Sequence, residues 1–205
     1  MYAFVFTLPT IIHRLGYSAE NAQLLTIPVY AFGIATMIAC GFLSDKFKTR
    51  YPFIIGPGII AMLALVAMLI IPHARMPGLG FGMLFPLCAG IYPAMTTIIC
   101  LVMNNVAPSS KRAIGIAIYF GFGNASGLVG SNIFVTNEAP QYPLGYGVCL
   151  GHTVGLLVCG TILRIAYGRA NKQRDAMTEE QIRAKYTDEE LDELGDHSPY
   201  FRYTM

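Results

Sequence analysis

Asp45, Lys46, Lys48 and Arg50 fall inside the ten-residue stretch Gly41–Arg50, a charged island between two long apolar runs. This is the residue cluster whose types and spacing could do chemistry. An aspartate at a helix end can pair with an arginine or cap the N-terminus of a facing helix. If that contact must break when one side of a protein opens, it biases a two-state equilibrium. The plainer alternative is a solvated loop that only fixes topology. Other chemistry finds no support. The chain has no nucleophile–base pair, no metal-ligand cluster and no phosphate-cradling loop, so it reads as neither an enzyme nor a cofactor protein. The five cysteines, Cys40, Cys88, Cys100, Cys149 and Cys159, all lie in apolar runs without C-x-x-C spacing. They read as small hydrophobic residues rather than disulfides or metal ligands.

The elements that must position this island are membrane spans. Hydrophobic residues make up 54% of the chain and charged residues 13%, about half the charge of an ordinary soluble domain, which carries roughly 25%. No Asp or Glu occurs between Asp45 and Glu138, and the only Lys or Arg between Arg50 and Lys111 is Arg75. The pattern predicts an all-α, multi-pass transmembrane bundle over residues 1–169 and a cytoplasmic tail over 170–205. Spans are expected at about 22–43, 52–72, 79–103, 113–136 and 147–168. Residues 1–12 are too short to cross, since a span needs about 20 residues. They read as the tail of a helix whose start is missing, with Met1 an internal start, or else as a short interfacial helix.

Placing the 41–50 and 104–112 loops and the tail on one side gathers all basic residues except Arg14 and Arg75. An excess of Lys and Arg marks the cytoplasmic side, so both ends of the bundle are expected there, and the plasma membrane is the expected location. The net charge of +2 gives no case for nucleic acid. Pro86 and Pro93, with several glycines, suggest a bent or broken fourth helix, a common feature of transporter midplanes. Gly56-Pro57-Gly58 is expected to weaken the third helix. Gly123 with Gly127, and Gly147, Gly151 and Gly155, have the spacing of close-packing faces. Thr178-x-x-Gln181 and Thr187-x-x-Glu190 are capping boxes, predicting two short helices in the tail.

The 41–50 stretch resembles the signature loop of the major facilitator superfamily, in which Gly-x-Leu-Ala/Ser-Asp-Arg/Lys precedes a glycine and further basic residues. Gly41, Leu43, Ser44, Asp45 and Lys46 match it; Lys48 stands where the second glycine is usual. Leu8–Ile12 with Leu15–Ser18, Gly121–Asn124 and the ending Gly195–Tyr203 narrow the resemblance to fungal anion:cation symporters, which include allantoate and nicotinate permeases. The chain then looks like the C-terminal, six-helix half of such a transporter, its first helix truncated.

The resemblance implies a cavity lined by the first and fourth helices of the half, with the second and fifth beside them. Carried over, the substrate-binding candidates are Phe4, Phe6, Tyr30, Tyr92, Thr96 and Asn124. The Asn124 amide could meet a substrate carboxylate, or it could make an interhelical hydrogen bond. Gly41, Asp45, Lys46 and Arg50 are the gating candidates. His152 is set aside because it lies on a helix the superfamily places at the periphery. The implied partners are a small organic anion, the lipid bilayer, and a missing N-terminal half or a second copy. Protons are a further candidate; with no Asp or Glu in a span, proton coupling would run through the missing half or the substrate's own carboxylate. The rival reading is a non-transporting half-bundle serving as a scaffold or remnant.

Overall fold

A computed structural model describes residues 2–139 and 141–205. Met1, where the first predicted segment begins, and Pro140, in the predicted outer loop, lie outside the described residues. The described chain is helical: α1 (Tyr2–Arg14), α2 (Ala19–Phe47), α3 (Pro52–Ile70), α4 (Pro77–Asn105), α5 (Ser109–Gly130) and α6 (Pro143–Asp175), followed by the short α7 (Glu179–Lys185) and α8 (Asp188–Glu193). Among the described residues, α2 to α6 are long and apolar enough to cross a membrane. The 13 residues of α1 reach only about 20 Å, short of a bilayer core of about 30 Å.

Local chemistry explains most helix ends. The Ser18 hydroxyl accepts from the Asn21 N–H at the start of α2. Proline occupies the first helical position of α3, α4 and α6, where its missing N–H costs nothing. Both tail capping boxes form as their spacing predicts. Three expectations need correction. The charged island is mostly helix: α2 carries Gly41 through Phe47 before turning. The fifth helix stops at Gly130 rather than near 136, because Ser131 and Asn132 turn their side chains back onto the Leu128 carbonyl. The fourth helix is not broken. It runs continuously through Pro86 and Pro93, and the Thr97 hydroxyl bonds the Pro93 carbonyl at 2.8 Å.

The centre of the bundle is α4, packed against α2 and α3; α3 also carries α6, and α1 sits between α2 and α5. The core is built from Leu8, Ile12, Val29, Leu65, Leu84 and Leu87. The Gly-Pro-Gly stretch of α3 does not break its helix. Pro57 and Gly58 are buried, and Gly90 of α4 lies directly on them: a Cβ at position 90 would stand 2.5 Å from the Pro57 carbonyl oxygen. The glycine spacing in α6 finds no partner in the bundle. A Cβ on Gly147, Gly151 or Gly155 meets nothing within 4 Å, and Gly123 of α5 is equally bare.

The outer surface is apolar. Leu24, Ile38, Phe42, Ile118, Leu128 and Val158 are all exposed. A monomer in water rarely shows contiguous apolar patches beyond a few hundred Å², whereas a bilayer solvates such a surface. This is an integral membrane protein.

The end of α2 makes one consequence measurable. Lys48 closes the helix with φ +53°, donating its N–H to the Asp45 carbonyl. A left-handed residue favours glycine, because any Cβ crowds the following carbonyl. Lys48→Gly should therefore stabilise this turn by about 0.5–1 kcal/mol. Thermal unfolding in detergent should show a small rise in midpoint; a fall would mean that the lysine side chain contributes more than the strain removes.

Candidate functional site

Two groups of residues stand apart from ordinary packing. The first is at the basic end of the bundle. Asp45, in the last turn of α2, accepts from Arg50 across the turn at 2.6 Å. The second guanidinium arm of Arg50 reaches the buried Ser44 hydroxyl at 3.1 Å, and that hydroxyl donates to the Thr49 carbonyl. The Arg50 side chain is 17% exposed while Asp45 is 67% exposed. The arginine is therefore held by its surroundings, while the carboxylate faces solvent on its other side. Lys46 points outward, and Gly41 has open space where a Cβ would sit.

A strap that the sequence reading did not anticipate closes this end. After α8, residues 195–205 return across the helix termini. Asn105, at the end of α4, exchanges two hydrogen bonds with the Thr204 backbone. Asn171 of α6 does the same with Tyr203. Arg174 donates to the Phe201 and Asp196 carbonyls and lies 4.6 Å above the Tyr203 ring. Asp196 pairs with Lys111 at the start of α5. Burial raises the affinity of this carboxyl for a proton, but Lys111, the residue's own N–H and His197 together outweigh it, so its pKa falls below the usual carboxylate range. The strap finishes on the same turn, where the Met205 backbone oxygen accepts the Arg50 N–H at 2.6 Å.

The second group is aromatic. The Tyr30 and Tyr92 rings meet edge to face, 6.5 Å between centroids, and the Tyr30 hydroxyl reaches the Val5 carbonyl at 3.3 Å. Gly33 permits this approach, since its missing Cβ would lie 2.7 Å from the Tyr92 ring. Thr96 is exposed one turn on and bonds the Tyr92 carbonyl. Asn124 lies on the outward face of α5, near exposed Phe122 and Leu128. The structure thus brings Tyr30, Tyr92 and Thr96 together and leaves Asn124 on a separate helix. The two phenylalanines part company. Phe6 is exposed, whereas Phe4 is buried in the core, edge-on to Phe134.

Phe4 also lines an apolar cavity of about 370 Å³ among α3, α4, α5 and α6. His152 stands on the wall of that cavity, exposed, with Nδ1 2.9 Å from the Val148 carbonyl of its own helix. At the opposite end of the bundle from the strap, His73 is buried in the α3–α4 turn beside Tyr146. Burial lowers its pKa, with the Met68 carbonyl opposing the shift.

Comparison with known proteins agrees with this architecture. The chain is 36% identical over 208 aligned positions to an MFS-type transporter of Penicillium expansum, covering all of this chain and 40% of that protein. The chain is homologous to part of a major facilitator superfamily transporter. A high-affinity nicotinic acid transporter of Saccharomyces cerevisiae is 29% identical over 199 positions, covering 96% of this chain and 36% of that protein. A major facilitator-type transporter of Emericella nidulans is 26% identical over 201 positions, covering 96% and 40% respectively. The chain thus spans about two fifths of the length of the curated relatives it matches, consistent with the C-terminal half of the superfamily fold. No family model matches the chain. No solved structure matches it either.

Proposed function

We propose that this chain is one six-helix half of a secondary transporter, an anion:cation symporter that moves a small organic anion of the carboxylate, vitamin or ureide class by alternating access. The observation that carries the reading is similarity along nearly the whole chain to transporters, one of them named for nicotinic acid. The geometry supports it. Tyr30, Tyr92 and Thr96 stand partly open on α2 and α4, and the Asn124 face of α5 is exposed. A second six-helix unit, from the same longer chain or a second copy, would close these faces into a cavity near the bilayer midplane. The basic end faces the cytoplasm by charge distribution, in the plasma membrane. The helices contribute no carboxylate between Asp45 and Glu138, so an anion meets no fixed negative charge there. Proton coupling, if used, runs through the other half or the substrate's own carboxylate.

In this mechanism the Asp45–Arg50 pair is the cytoplasmic latch. Arg50 stays with Ser44 and the strap, while the exposed Asp45 releases when that side opens. In the full-length transporter, Asp45→Asn should lower uptake of radiolabelled nicotinate or a ureide carboxylate by about three- to fivefold, because a solvent-screened pair worth about 0–1 kcal/mol is weakened in one state only. Surface expression should not change. Normal uptake by the variant would remove the latch, and failure to take up any organic anion would overturn the transport reading. The scaffold alternative rests on the bare glycine face of α6, which another helix could cover; wild-type uptake of an organic anion would exclude it.

A further inference from the structure

The strap and α6 enclose a groove of about 690 Å³ that neither the latch nor the aromatic group uses. Its walls carry four side-chain cations, Arg164, Arg169, Lys172 and Arg202, and one side-chain carboxylate, Asp175. That carboxylate is already engaged, accepting from Arg202 Nε at 2.8 Å. Arg164 lies over the Tyr51 ring. Arg169 and Lys172 pair with no carboxylate among the described residues. The groove therefore keeps the charges of Arg164, Arg169 and Lys172 without a salt-bridge partner among the described residues.

Depth selects the occupant. Ile162 and Ile165 are exposed on α6 at 58% and 49%, an apolar surface suited to acyl chains. The cations begin at Arg164 and continue to Lys172, eight residues along the helix and so about 12 Å. That distance crosses from the hydrocarbon edge through the polar headgroup layer, which adds about 5–7 Å per leaflet. The strap lies against α6 at Gly168, with Met205 Sδ 3.7 Å from where its Cβ would be. Cations on both walls, above an apolar track, fit a phosphate whose chains run down the helix. Guanidinium groups suit phosphate oxygens because they can donate two parallel N–H bonds.

We infer that the groove between the C-terminal half of α6 and the strap binds the phosphate of an anionic phospholipid, with its acyl chains along Ile162 and Ile165. The inference rests on the protein spanning a bilayer and not on transport, so it stands or falls separately from the proposed function. The test uses the full-length protein in mixed micelles of phosphatidylglycerol and phosphatidylcholine, with retained lipids identified by native mass spectrometry. The wild type should retain phosphatidylglycerol in roughly tenfold preference. The double variant Arg169→Gln, Lys172→Gln should bring the preference close to one, while Arg183→Gln, Lys185→Gln on α7 should leave it intact. Wild-type protein without a preference, or an unchanged preference in the groove variant, would overturn the site. Displacement of the lipid by an equal concentration of soluble glycerol phosphate would show a free-phosphate site and overturn the lipid assignment; retention of the lipid supports it.

Discussion

Gly90→Ala should be the most damaging single methyl group in this bundle, lowering stability by about 3 kcal/mol. The reason is what the new Cβ would strike. It would stand 2.5 Å from the Pro57 carbonyl oxygen and 2.6 Å from both the backbone nitrogen and the Cβ of Ala61. Two of these three atoms are backbone in the middle of α3, and no rotamer can move them. Relief requires α3 and α4 to separate, which loosens Leu65 and Leu84 in the buried core. Other glycines supply internal controls. Gly58→Ala meets first the end of the Leu157 side chain, and Gly33→Ala meets the edge of the Tyr92 ring; each neighbour can rotate, so each change should cost less. Gly82→Ala meets nothing within 4 Å and should be neutral or slightly stabilising. Thermal unfolding in detergent should place the Gly90 variant roughly 6–12 °C below wild type. If it matched Gly82→Ala, the contact between α3 and α4 would be far looser than the geometry indicates. An α3–α4 seam with no room for one carbon is a rigid joint within the bundle.

Membrane helices announce themselves in sequence because about 20 apolar residues in a row satisfy the lengths a bilayer demands. The segments near 22–43, 52–72 and 79–103 therefore all coincide with helices. Helix ends were harder to place. Charged residues do not end a helix, and Ser44, Asp45 and Lys46 simply extend α2 beyond its apolar run. Pro86 and Pro93 suggest a bent or broken α4, but the helix runs unbroken through both, because packing in a bundle holds the helix on either side of a proline together. Glycine spacing is ambiguous for a different reason. It marks a face that permits close approach without saying what approaches, and Gly90 and Gly147 look equally available until the fold shows one pressed on Pro57 and the other bare. The aromatic neighbours Tyr30 and Tyr92 were both named from family resemblance alone, and only the fold reveals that Gly33 brings them together. The strap was the least legible feature. Its residues have no period, and its contacts join positions as far apart as Asn105 and Thr204.

Arg174→Ala should release that strap. The guanidinium donates to the carbonyls of Phe201 and Asp196, each at 2.8 Å, and covers the face of Tyr203, which in turn stacks on Tyr167 at 4.5 Å. Two charge-assisted bonds of about 1.5–3 kcal/mol each make a local loss of about 3 kcal/mol a minimum expectation. Lys111→Ala removes the pair with Asp196, but the Lys111 side chain is 48% exposed, and solvent-screened pairs contribute only about 0–1 kcal/mol. Arg174→Lys should resemble alanine more than wild type, since an ammonium cannot present the same planar fork. Native-state hydrogen exchange reads the difference directly. The Tyr203 and Thr204 amides, bonded to Asn171 and Asn105, should exchange about 100-fold faster in Arg174→Ala, while amides of the α3–α4 core keep their protection. Unchanged exchange at those two amides would mean the asparagines alone hold the strap. The Arg50 amide decides whether the strap steadies the Asp45–Arg50 pair. It donates to Met205, at the end of the segment that Arg174 anchors, so a freed strap should expose it as well. Arg50 would then keep Asp45 and Ser44 but lose its backbone tether, and the turn at the end of α2 would no longer be fastened to the strap.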